Sequence, residues 1–160
     1  MKPAFRDIVA AVDFSDSSLA AAEIAADIAR AAQGSLHLLH VVADVLVAPW
    51  IVSTSDIGFS GLQQRLENEA ARKLTALSAT EPFQRMSVVC AVESGSAADA
   101  IVEYARRHTG DLIVVGTHGY GPVKRFLLGH VADRVIRQAR CPVLTVPHES
   151  LGHADQEPLP

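Results

Sequence analysis

Between Gly116 and His130 the chain reads Gly116-Thr117-His118-Gly119-Tyr120-Gly121, then Pro122 to Leu128, then Gly129-His130-Val131. An apolar run, Asp111 to Val115, leads into it. Glycines at 116, 119 and 121 permit backbone angles that other residues resist, and they leave amides uncovered. Successive amides in such a turn form a concavity that binds anions. Gly129 then precedes a helical pattern, whose first N–H groups and dipole also favour phosphate. Lys124 and Arg125 lie between and can add positive charge. The chemistry indicated is phosphate binding, and the chain is expected to bind a nucleotide. The plainer reading is a tight turn after a strand, with no ligand.

Asp13 is the second group of interest, at the end of the apolar run Asp7 to Val12. A carboxylate there can bind a ribose hydroxyl or a metal ion, or receive a phosphoryl group; it can also simply cap the turn before Ser15. With Asp16 it makes an acidic pair similar to that of a two-component receiver domain. A receiver also needs an acceptor Asp after its third strand and a Lys after its fifth, where this chain has Glu93 and Pro147-His148. The seven histidines show no His-x-x-x-His spacing, and no Cys-x-x-Cys accompanies them, so a dedicated metal site is not expected. His37 and His40 fall on opposite faces of one strand and read as packed or hydrogen-bonded residues. Ser15, Ser17 and Ser18 read as helix-start residues, and Cys90 and Cys141 as core or near-core thiols. No nucleophile is marked out, and the chain is not expected to be an enzyme.

These residues are positioned by a regular alternation of elements. Asp7 to Val12 reads as a buried strand. Ser15 offers an N-cap to a helix with Asp16 in its first turn. Ala21, Ile24, Ala25 and Ile28 mark that helix's buried side, and Gly34 its stop. Ser35 to Val42 is a second strand, and Ala43 to Ser60 a long loop. From Gly61, a helix presents Leu62, Leu66, Ala70, Leu74 and Leu77 on one face, and Pro82 closes it. Met86 to Val92 is a third strand. Ser96 and Asp99 suggest a weak capping box for a helix that buries Ile101, Val102 and Ala105 and ends at Gly110. Asp111 to Val115 is the fourth strand. The last helix carries Val131, Val135, Ile136 and Ala139, and Val143 to Val146 is the fifth strand. His148 to Pro160 reads as a loose tail after a domain spanning residues 1–147.

Strands that are unbroken apolar runs, alternating with helices, indicate a parallel sheet covered on both faces. The fold class is therefore α/β, a single doubly wound five-stranded parallel sheet with helices on both faces. Five strands fit either the flavodoxin-like order or 3-2-1-4-5. In either, ligands sit beyond the carboxyl ends of the strands where the winding reverses. In the 3-2-1-4-5 order that crevice lies between strands one and four, where Asp13 and Gly116 fall.

Composition sets the outer bounds. The 160 residues suit one domain with a real core, and 49% hydrophobic with 20% charged residues is an ordinary globular balance. A formal net charge of −4 without long runs of one sign argues against a dedicated nucleic-acid binder. The N-terminal stretch lacks signal-peptide character, since Asp7 interrupts it early. Leu36 to Val52 is broken by His37, His40, Asp44 and Pro49, so no membrane span is expected. Two cysteines make no disulfide framework, and the default compartment is the cytosol.

Gly-x-x-Gly, nine residues, then Gly resembles the ATP-binding signature of the universal stress protein family. The likeness covers nearly the whole chain: IVAAVDFSDSS opens it, HLLHVV forms the second strand and LLGHVADRVIRQARCPVLTVP closes it. It implies the 3-2-1-4-5 order, ATP with Mg²⁺, and a stress regulator whose ATP hydrolysis is slow at most. By that resemblance Ala11, Val12 and Asp13 surround the base and ribose, Val41 contacts adenine, and Gly116, His118, Gly119, Gly129, His130 and Val131 hold the phosphates. Asp13 is the nearest carboxylate for the metal. The family also implies a homodimer, here through the edge strand Val143, Leu144, Thr145 and Val146. The signature expects Ser or Thr where His130 stands. Two outcomes are open: an imidazole that binds phosphate more tightly as it protonates over about pH 6–7, or a side chain whose bulk bars the third phosphate. Two alternatives to an ATP-binding regulator are a dimeric interaction module without nucleotide and an enzyme of the wider adenine-nucleotide alpha-hydrolase fold, which needs a pocket under Ala43 to Ser60.

Overall fold

The computed structural model describes residues 5–44, 59–117 and 128–147. Nine elements alternate: β1 (Asp7–Ala11), α1 (Asp16–Ala31), β2 (Ser35–Val42), α2 (Phe59–Ser78), β3 (Ser87–Ser94), α3 (Ala97–Arg107), β4 (Leu112–Gly116), α4 (His130–Gln138) and β5 (Val143–Val146). The strands form one parallel sheet in the order β3-β2-β1-β4-β5. That is the 3-2-1-4-5 order, so the third strand lies two places from the first. Glu93 on β3 is paired instead with Arg107 at 2.7 Å. The receiver-like arrangement of acidic groups is excluded by topology.

Both faces of the sheet are covered, which explains strands without polar alternation. Ile8, Ala10 and Val12 face α1 and α2 together with Leu36 and Leu38. Val9 and Leu39 turn the other way, towards α3 and α4, and pack with Ile101, Tyr104 and Val135. His37 shares that second face and is buried, its Nδ1 2.9 Å from the Tyr104 hydroxyl. Burial holds the His37 pKa below the usual imidazole range, helped by His108 and opposed by Asp7.

Several helix faces differ from the periodicity reading. On α1 the buried residues are Ser17, Ser18, Ala21, Ala22, Ala25, Ala26 and Ala29, while Ile24 is 40% exposed and Ile28 only flanks the core. The helix uses its small side chains to lie close on the sheet, and an isoleucine on that face would hold it off. On α4 the buried pair is Ala132 and Val135, and Val131 and Ile136 are exposed. On α2, which begins at Phe59 rather than Gly61, Ala70 and Leu74 are buried but Leu66 is exposed. This helix lies along β2 and β3 at one side of the sheet, so only part of its apolar stripe is covered.

Helix ends also differ from the pattern expected from sequence. The left-handed residue after α1 is Gln33, with φ 53°, and Gly34 follows it, donating its N–H to Ala29 O at 2.9 Å. Gly34 is glycine for a different reason: a Cβ there would sit 2.3 Å from the carbonyl oxygen of Arg6. The stop of α3 is likewise left-handed at Thr109, one residue before Gly110. Ser96 occupies the N-cap position of α3 without a side-chain cap bond. Arg134 of α4 donates to Ser96 Oγ and to both Asp99 oxygens, at 3.0 and 3.1 Å, so the pair joins two helices rather than making a capping box. Cys90 is exposed because β3 is an edge strand, while Cys141 is half-buried with its thiol pushed up by burial. The two thiols lie on opposite edge strands or beside them, and both are free.

Candidate functional site

The carboxyl ends of β1, β2 and β4 surround a cavity of about 290 Å³, at the lower end of the range for small-molecule sites. β1 and its continuation supply Ala11, Val12 and Asp13, and β2 supplies Leu39, His40 and Val41. Across from them stand Val115, Gly116 and Thr117, and then Gly129, His130, Val131 and Ala132 at the start of α4. Every expected binding residue within the described chain lines this one cavity: Ala11, Val12, Asp13, Val41, Gly116, Gly129, His130 and Val131. His118 and Gly119 lie outside the described residues, as do Lys124, Arg125 and most of the Ala43 to Ser60 segment. The sequence reading did not place Ser18, Leu39, His40, Ala97, Ile101, Val115, Thr117 or Ala132 on the cavity wall. For His40 the signal was available, since it adjoins Val41 at the carboxyl end of a central strand.

Three close contacts build the site. Gly129 N donates to Thr117 O at 2.7 Å, so the two ends of the glycine segment meet. Thr117 N donates to Val146 O at 2.9 Å, which ties that neck to β5. Gly116 lies against α1: a Cβ added there would be 2.4 Å from Ser17 Oγ and 2.8 Å from the Ser17 carbonyl carbon. Its glycine is therefore required by helix packing, whatever it also does for a ligand.

Asp13 is exposed, and its Oδ1 accepts from both the backbone N–H and the hydroxyl of Ser15. Ser15 in turn caps α1 by accepting from Ser18 N at 3.3 Å. The capping reading of Asp13 is thus realised, and it coexists with a place on the cavity wall. Asp13 is the one carboxylate among the described lining residues, with His40 and His130 as titratable neighbours. Among the described residues no three His, Cys, Asp or Glu side chains gather into a metal site. A lone carboxylate suits Mg²⁺ only when phosphate oxygens and water complete the shell. His130 is the first residue of α4 and is exposed, at the helix end where N–H groups lack helical acceptors.

A crevice at the switch point of the sheet, beside a helix N-terminus, belongs to the doubly wound parallel α/β class of fold. Sequence comparison makes the assignment particular. The universal stress protein family model matches residues 4–147, and the chain belongs to that family. It is 33% identical over 142 residues to universal stress protein MJ0531 of Methanocaldococcus jannaschii, covering 89% of this chain and 82% of that one. It is also 33% identical to universal stress protein A homolog 1 of Coxiella burnetii, covering 89% and 96%. Among solved structures, MJ0577 of M. jannaschii superposes with a TM-score of 0.76 at 24% identity, covering 91% and 97%. A universal stress protein in complex with cAMP superposes at 0.58 with 28% identity, covering 89% and 97%. Among the described residues no helix is long and apolar enough to cross a membrane.

Proposed function

We propose that this chain binds ATP, or another adenine nucleotide, in the cavity between β1, β2 and β4, and acts as a nucleotide-responsive stress regulator. The observation that carries the reading is convergence. Residues distant in sequence, around Asp13, Val41, Gly116 and Gly129, meet at one cavity, beside a helix N-terminus suited to phosphate. A family neighbour in complex with cAMP supports an adenine nucleotide as the ligand class. In this reading Ala11, Val12 and Val41 hold the base, Asp13 the ribose or a phosphate-bound Mg²⁺, and Gly116, His118, Gly119, Gly129, His130 and Val131 the phosphates. The protein is a binder in this reading, and its hydrolysis of ATP is slow at most. The reading extends to a homodimer through Val143 to Val146. This strand is an edge, and pairing with its own copy would satisfy its outward backbone groups.

Mass spectrometry of the supernatant after denaturing the purified protein tests the ligand. The expected result is ATP, ADP or AMP in stoichiometric amount, together with a thermal shift on adding ATP and Mg²⁺. Gly119→Val should abolish the shift. No nucleotide, and no shift in the parent protein, would refute the proposal and favour an interaction module.

A further inference from the structure

We propose that His40 is a positioning residue that prepares the cavity by taking a backbone acceptor out of the β1–β2 ladder. The proposal deepens the nucleotide-site reading and rests on it for its ligand arm. In a parallel ladder, alternate residues of one strand give both their N–H and C=O to the same neighbour. Here Val12 N donates to Leu39 O at 2.8 Å, and the next bond in the series would run from Val41 N to Val12 O. That bond is absent. Val12 O instead accepts from the His40 imidazole at 2.7 Å. A carbonyl can only accept, so Nδ1 carries the hydrogen.

Two consequences follow at the cavity. The Val41 N–H loses its strand partner and has no other acceptor among the described residues, which leaves a backbone donor on the wall where Val41 stands. At the same time the Val12–Asp13 peptide is held at both ends, since Asp13 N donates to Ser18 Oγ at 3.2 Å while Val12 O is held by His40. The plane of that peptide sets where Asp13 leaves the strand. Phe14, the next residue, has φ 65° and lays its ring 5.0 Å from the His40 ring, with Lys73 Nζ 5.6 Å from the Phe14 centroid. A phenylalanine in the left-handed region is uncommon and needs its surroundings to hold it. His40 supplies both the hydrogen bond and part of that packing.

The test uses His40→Leu, which removes the donor, and His40→Asn, whose side-chain N–H₂ is attached at the same distance from the backbone as Nδ1. The readout without ligand is amide hydrogen exchange. In His40→Leu the Val41 N–H should recapture Val12 O and exchange more slowly than in the parent, a direction that general loosening would not produce. In His40→Asn it should exchange as in the parent. Unchanged Val41 exchange in His40→Leu would overturn the proposal. The ligand arm is ATP titration: His40→Leu should bind about tenfold more weakly, the loss of roughly one hydrogen bond, and His40→Asn within about twofold of the parent. Parent-like ATP affinity in His40→Leu, or equal loss in both variants, would also overturn it. If the parent protein itself binds no ATP, the nucleotide reading fails, and Val41 exchange still decides the role of His40.

Discussion

Replacing Gly116 by alanine tests whether the approach of α1 to the sheet, rather than backbone freedom, demands glycine there. The added Cβ would meet Ser17 Oγ at 2.4 Å, the Ser17 carbonyl carbon at 2.8 Å and its oxygen at 2.9 Å. A rotated serine hydroxyl relieves the first contact cheaply, but the other two are helix backbone. Ordinary contact for such atoms begins at 3.4 Å, so the start of α1 must retreat by at least about half an ångström. Small-to-large changes of this kind in a packed core cost about 2 kcal/mol. For a chain of this size that lowers Tm by roughly 6 °C and the urea midpoint by about 1 M. Thermal and urea unfolding followed by circular dichroism would measure both. Adding Ser17→Ala should recover only part of the loss, because the backbone contacts remain. A single Gly116→Ala variant as stable as the parent would refute the packing argument and leave the glycine to the ligand alone.

Other outcomes follow from the same structure. His37 is held neutral by burial first and by His108 second, so its folded pKa lies below the unfolded value of about 6.5. Its contribution to stability is full above that value and is lost as pH falls below it, because the unfolded chain takes up the proton first. His37→Asn should flatten this acid dependence in urea titrations at stepped pH; a slope equal to the parent's would argue against His37 as its source. His130→Ser separates the two outcomes for this position: a gain in ATP affinity relative to ADP would show that the bulk of the imidazole bars the third phosphate, and a loss that the ring donates to it. Thr145 is an outward-facing backbone position, since the even-numbered residues of β5 give their hydrogen bonds to β4. Thr145→Pro should therefore convert a dimer to a monomer by light scattering while keeping the circular dichroism spectrum, and a persistent dimer would place the interface elsewhere.

Much of this architecture could be read from sequence because its strands are short apolar runs punctuated by helix signals. Ile8 to Val12 and Leu112 to Val115 are apolar at every position, which a sheet covered on both faces requires. The orientation of the helices was less readable. Hydrophobic periodicity gives weight to Ile24, Leu66, Val131 and Ile136, whereas the sheet admits Ala22, Ala26, Ala29 and Ala132 because small side chains permit close approach. Serine and alanine in a stripe carry little hydropathy contrast, so proximity of this kind is nearly silent in a single sequence. Gly34 and Gly116 show the same blindness: both looked like conformational residues, and both are fixed by what a Cβ would strike. The positions on the cavity wall around Asp13 and Gly129 were readable because turn chemistry is local, while the hydrogen bond from His40 to Val12 depends on strand register.

The bond from Gly129 N to Thr117 O has a practical corollary for protein engineering. The neck is fastened there, and Thr117 is fastened in turn to Val146, so the two ends of any segment inserted at this point are already joined on the sheet. Lengthening a loop between closed ends adds only a small, logarithmic entropy term. Segments of different length and charge grafted between Thr117 and Gly129 should therefore leave the stability of the sheet nearly unchanged, which makes this neck a point of insertion that is independent of folding.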